Sequence, residues 1–177
     1  MGWQKEDQQL LLAAADEFTD YLQSSAIQWK VNFSRVFTAG RILLAQKRVQ
    51  FTKEDYPTNV KLNEKIDQVI FENKAIWQRK IELEIPYRIN IWKNILQDYL
   101  DEGLDSSYST QVGNRVMLTL LINEVDLLKP SIDSHLDEMD DKLRSLVDDG
   151  DFIWDPVLEP GFSKVDYWYL YINRKGG

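Results

Sequence analysis

Residues 61–100 read KLNEKIDQVIFENKAIWQRKIELEIPYRINIWKNILQDYL, and the periodicity of this stretch decides the fold class. Leu62, Ile66, Val69, Ile70, Ile76, Trp77 and Ile81 recur at helical spacing, which gathers the apolar side chains into one stripe. Pro86 interrupts the pattern, because proline donates no backbone hydrogen bond and biases its predecessor away from helix. A kink or break is predicted there. The stripe resumes through Ile89, Trp92, Ile95, Leu96, Tyr99 and Leu100, and Gly103 supplies a C-terminal stop.

Working outward, residues 5–23 place Leu10, Leu11, Ala14, Phe18, Tyr21 and Leu22 on one helical face. Residues 26–50 satisfy two patterns. Ile27, Trp29, Val31 and Phe33 alternate like a strand, yet Trp29, Phe33, Val36, Phe37, Gly40, Leu43 and Leu44 fit steps of three or four. The length favours one well-buried helix. Tyr56-Pro57-Thr58-Asn59 reads as a turn, with Thr58 or Asn59 capping the next helix.

Downstream of a polar loop at residues 105–109, apolar positions from Val112 to Leu128 predict a helix. Another follows over residues 131–148, with Pro130 suited to a first helical position. The texture then changes. Phe152-Ile153-Trp154 and residues 167–172 (YWYLYI) are aromatic and β-branched runs, separated by a loop containing Pro156, Pro160 and Gly161. The predicted fold is therefore mainly α, a helical bundle of about five or six helices with a small C-terminal antiparallel β-hairpin at about residues 151–173. At 177 residues the chain is expected to form a single domain.

Composition narrows the chemistry. There is no cysteine, which removes disulfides, thiolate metal sites and a cysteine nucleophile. No apolar run approaches the roughly 18 residues of a membrane span, and the polar start of the chain does not resemble a signal peptide, so a cytoplasmic location is expected. Glycine-rich phosphate loops and nucleophile-elbow patterns are missing, and no cofactor is implied. A net charge of −8 disfavours DNA as a partner.

That net charge is unevenly distributed. Between Tyr21 and Lys53 there is no acidic residue, while Lys30, Arg35, Arg41, Lys47, Arg48 and Lys53 are basic. Residues 124–166 hold thirteen acidic and four basic residues. If residues 26–50 form one helix, Lys30, Arg41 and Arg48 fall within about 20° of each other and, with Arg35, form an anion-binding strip. The commoner use of such charges is pairing within the fold or plain solvation.

Asp133, Asp137 and Asp140 share one helical face and could hold a divalent cation, as in helical phosphohydrolases that bind magnesium through helix-borne carboxylates. Arg144 lies four residues after Asp140 and Lys142 four after Glu138, the usual arrangement of a solvated, ion-paired helix. His135 is the only histidine, and its order with Glu138 is the reverse of the di-iron motif.

Seven of the 21 aromatic residues fall within the last 26 positions, which makes the hairpin the densest aromatic segment. A two-stranded ribbon buries one face, so Trp154, Tyr167, Trp168, Tyr169 and Tyr171 are candidates for a partner-binding surface, or else pack over the bundle end. With no catalytic signature, the sequence points to a non-enzymatic interaction or adaptor domain that meets a protein partner or its own copy. The competing expectation is a small anionic-ligand binder or a divalent-metal-dependent, phosphohydrolase-like helical enzyme.

Overall fold

A computed structural model describes residues 2–32, 35–52, 56–125 and 129–175. The chain is mainly α. Helices α1 (Gly2–Gln23), α2 (Ala39–Val49), α3 (Tyr56–Glu72), α4 (Lys74–Glu102), α5 (Tyr108–Gln111), α6 (Gly113–Asn123) and α7 (Lys129–Leu146) make up most of the described residues. Two antiparallel pairs complete them, β1 (Trp29–Asn32) with β2 (Arg35–Phe37), and the C-terminal hairpin β3 (Val147–Phe152) with β4 (Tyr171–Arg174). The chain divides into two compact units, Met1–Glu84 and Ile85–Gly177, with the boundary inside α4.

In the first unit α1 packs on α2 and α3. Its core is aromatic. The Phe18 ring meets Trp77 edge-on at 5.6 Å, and Tyr21 meets Phe37 in the same way at 5.2 Å. Such pairs add to the hydrophobic gain of burying these large rings.

Residues 26–50 do not form one helix. Trp29 pairs with Phe37 and Lys30 with Val36, with an irregular register between Lys30 and Asn32, before α2 begins at Ala39. The alternation of aromatic and β-branched residues outweighed the length argument, because Thr38 ends the extended run. Thr38 has β-region backbone, and its Oγ1 accepts from the Arg41 N–H at 3.2 Å, which makes it the N-cap of α2. The buried Glu84 carboxylate completes the cap, accepting from Thr38 Oγ1 at 2.6 Å and from the Gly40 N–H at 3.0 Å.

Three other expectations also change. Tyr56-Pro57-Thr58-Asn59 is the first turn of α3, where proline's missing N–H costs nothing. Asn59 is buried and donates to Thr52 Oγ1 at 3.0 Å. The stripe through residues 62–81 is cut at Asn73, whose side chain donates to the Val69 carbonyl at 2.9 Å and so closes α3. At Pro86 the helix continues without a break. Pro86 lies on an exposed face, so the carbonyl it leaves unmatched is on the solvent side. Gly103 ends α4 as predicted, with φ +82° and its N–H bonded to the Tyr99 carbonyl at 2.9 Å.

In the second unit the C-terminal hairpin is present but displaced. β3 starts at Val147, directly after α7, and Trp168–Leu170 forms a 3-10 turn where a strand was expected. A bulge between Asp149 and Phe152 reconciles the two strands. Gly150 sits in it, and a Cβ there would stand 2.6 Å from the Ile172 backbone. Only glycine fits so close to a neighbouring strand. The helix expected over residues 112–128 is α6, preceded by the single turn of α5; residues 126–128 lie outside the described part.

Candidate functional site

The aromatic residues of the hairpin mostly point inward. Tyr167, Tyr169 and Tyr171 are 5%, 0% and 8% exposed, and Trp154 and Trp168 are half-buried. The Tyr169 hydroxyl lies 2.6 Å from Thr119 Oγ1, and its backbone carbonyl accepts from the Tyr108 hydroxyl at 2.8 Å. Burial raises the pKa of Tyr108 and Tyr169 and pushes that of Tyr167 up to about 12, so all three are neutral phenols near pH 7. Trp154 donates its indole N–H to the Ser109 carbonyl at 2.7 Å, and the Arg144 guanidinium covers the Trp168 ring at 3.7 Å.

The two described members of the aspartate set on α7, Asp137 and Asp140, are not gathered into one site. Asp140 forms a two-pronged pair with the buried Arg115, at 3.0 Å to Nε and 2.9 Å to Nη2. The same guanidinium donates to Thr119 Oγ1 at 2.7 Å and lies over the Tyr169 ring at 4.7 Å. Burial is the largest single influence on Arg115 and works against its charge, but the Asp140 hydrogen bonds together with the electrostatic attraction of Tyr169, Asp140 and Tyr108 outweigh it, leaving its pKa raised. Asp137 is exposed, and the Asp133 side chain lies outside the described part. Among the described residues no three acidic or histidine side chains are placed to hold a metal ion.

The basic residues are likewise dispersed. Lys30 is exposed on β1, and the Arg35 side chain lies outside the described part. Arg41 is exposed and donates to the Val36 carbonyl at 2.7 Å. Arg48 faces Asp7 of α1 at 3.5 Å and lies over the Trp3 ring at 5.3 Å. Burial raises the Asp7 pKa to about 6, with Arg48 and Arg41 pulling against the rise and Glu6 adding to it. The strip drawn on a single helix is thus divided between a strand and α2, because that helix does not exist.

A different surface stands out on the first half of α4. Trp77, Ile81 and Glu84 face the core, whereas Ile76 and Leu83 are 40% and 45% exposed. Leu22 at the end of α1, with Ile76 and Leu83, lines a groove of about 480 Å³ in which Arg79 supplies a charge. Behind it, the buried Lys80 closes the end of α1. Its ammonium donates to the Ser24 carbonyl at 2.6 Å, to Ser24 Oγ at 3.0 Å and to the Ala26 carbonyl at 2.8 Å, and it sits over the Tyr21 ring at 4.4 Å. Burial lowers the Lys80 pKa. The groove wall is therefore tied to the end of α1 by hydrogen bonds. The sequence hides this edge, because Ile76 falls within the helical stripe that periodicity gives to the core and Leu83 lies beyond that stripe. The one available signal was that Ile76 and Trp77 are adjacent and cannot face the same way.

No family model matches the chain, and neither the curated proteins nor the solved structures contain a match to it. Among the described residues no helix is long and apolar enough to cross a membrane. Fold and surface thus define a mainly α protein of two compact units, one of which presents an exposed apolar helix edge.

Proposed function

We propose that the chain is a non-enzymatic protein-interaction domain. The observation that carries this reading is the apolar edge of α4, where Ile76 and Leu83 remain 40% and 45% exposed beside a groove of about 480 Å³. Large aliphatic side chains flanking a concave surface are a common form of protein-docking site. The buried cap at Lys80 supports the reading, since a docking surface gains affinity when its backbone is already ordered. Arg115 and Asp140 are paired with each other, and a structural role for the pair supports the reading.

The test pairs the wild-type chain with Leu83→Glu, which puts a charge at an exposed position of the edge, with an unchanged melting temperature as the check that the fold is kept. Stoichiometric association in solution, with a second copy or with another protein recovered from native extract, and its loss in Leu83→Glu, supports the proposal. Two proteins with the same mass in solution and the same co-purifying species would contradict it.

A further inference from the structure

The edge of α4 is complementary to itself. Taking 100° per residue, Ala75, Ile76, Arg79, Glu82 and Leu83 occupy an arc of about 120°, and all five are exposed. Ile76 and Arg79 form a ridge between two depressions. One, of about 480 Å³, is bounded by Leu22 and Leu83; the other, of about 400 Å³, is bounded by Ala75, Gln78 and Glu82. A ridge flanked by grooves is the shape that a second such ridge fills.

The charges add direction. Arg79 and Glu82 stand on the same edge, and among the described residues neither makes an ion pair. A partner surface of one sign would satisfy only one of them. A copy of the same helix running the opposite way satisfies both.

Resting on the interaction reading above, we propose that the partner of this edge is a second copy of the chain, docked through antiparallel pairing of the two α4 helices about a two-fold axis near position 80. With the axis at position 80, Ile76 of each copy stands within one residue of level with Leu83 of the other, and Arg79 of each within one residue of level with Glu82 of the other, close enough for both pairs of side chains to meet twice, as an isologous interface requires. One helix edge of nine residues covers less than the roughly 800 Å² per partner of a standard interface, so the dimer is weak and depends on concentration.

Charge exchange in the full chain tests this pairing. Sedimentation equilibrium of wild type at rising concentration is expected to show a monomer–dimer equilibrium. Arg79→Glu alone, and Glu82→Arg alone, place like charges across the axis twice in each dimer and are expected to weaken it about tenfold. Mixing the two variants is expected to restore wild-type association, because each then supplies the sign the other lacks. All these positions are exposed, so loss of folding is checked by an unchanged melting temperature. If wild type dimerises but the mixture gains nothing over the separate variants, antiparallel pairing is overturned while the interaction reading survives. If wild type remains a monomer yet binds another protein in a Leu83-dependent way, the second copy is overturned and the interaction reading again survives. If it binds nothing, both fall.

Discussion

Asp7 shows what a single buried carboxylate does to this chain. Its folded pKa of about 6 lies above the ordinary aspartate value of 3.8, so the folded state holds the proton where the unfolded chain has released it. The sign follows from that order: the group favours folding most below about pH 4, and the benefit is lost as pH rises to about 6. Asp7 is opposed by Arg48 at 3.5 Å, and that attraction is too weak to reverse the desolvation cost. The difference amounts to about 3 kcal/mol between the two pH limits. Asp7→Asn mimics the neutral acid, so the variant is expected to match wild type near pH 4 and to exceed it by about that amount at pH 7. Urea unfolding across this range checks it; a stability gap that does not change with pH contradicts it.

Lys80 is the opposite case, a buried charge whose three hydrogen bonds all go to the segment that follows the C-terminal end of α1. Lys80→Met keeps the aliphatic volume but leaves the Ser24 and Ala26 carbonyls unmatched, with an expected loss of about 1–3 kcal/mol by chemical denaturation. An unchanged unfolding midpoint would show that water replaces the ammonium.

At the scale of elements, long amphipathic segments were legible and short ones were not. The α4 stripe and its stop at Gly103 could be read because a 29-residue helix repeats its signal many times. The β1–β2 pair could not be separated from a helix, since its strands have four and three residues. Thr38 was the missed cue, a capping residue in the middle of an apolar run. The hairpin was foreseen, but its register was not, because it depends on Gly150 lying against the opposite strand. Gly150→Ala forces that contact apart and is expected to cost about 1–3 kcal/mol. Thermal unfolding measures it, and a neutral effect would mean that the bulge relaxes freely.

The candidate sites were the least legible feature, for a physical reason. A helical wheel gives the direction of a side chain only if the helix exists, and Lys30 stands on a strand while Arg41 and Arg48 stand on α2. Likewise the carboxylate face of α7 was visible, but not the partner that occupies it. Arg115 is 25 residues from Asp140, on another helix. Arg115→Met is expected to cost about 3–5 kcal/mol, since it leaves the Asp140 carboxylate poorly solvated and unpaired. Replacing both partners by apolar residues is expected to recover most of the loss. Non-recovery in the double variant, measured by urea unfolding, would mean that Thr119 and Tyr169 depend on the guanidinium as well.

For the whole molecule, the segregation of charge along the sequence does not set the ion pairs of Arg48 and Asp140. Residues 21–53 are basic and residues 124–166 acidic, yet the described ion pairs of Arg48 and Asp140 are made with Asp7 and Arg115, outside those two segments. What distinguishes the chain is an apolar helix edge left uncovered on a well-supported scaffold. Sedimentation equilibrium of wild type beside Leu83→Glu tests that claim most directly. The expected result is a wild-type mass that rises with concentration toward twice the monomer while Leu83→Glu stays at the monomer mass. Indistinguishable masses for the two proteins across the full concentration range would contradict self-association through this edge.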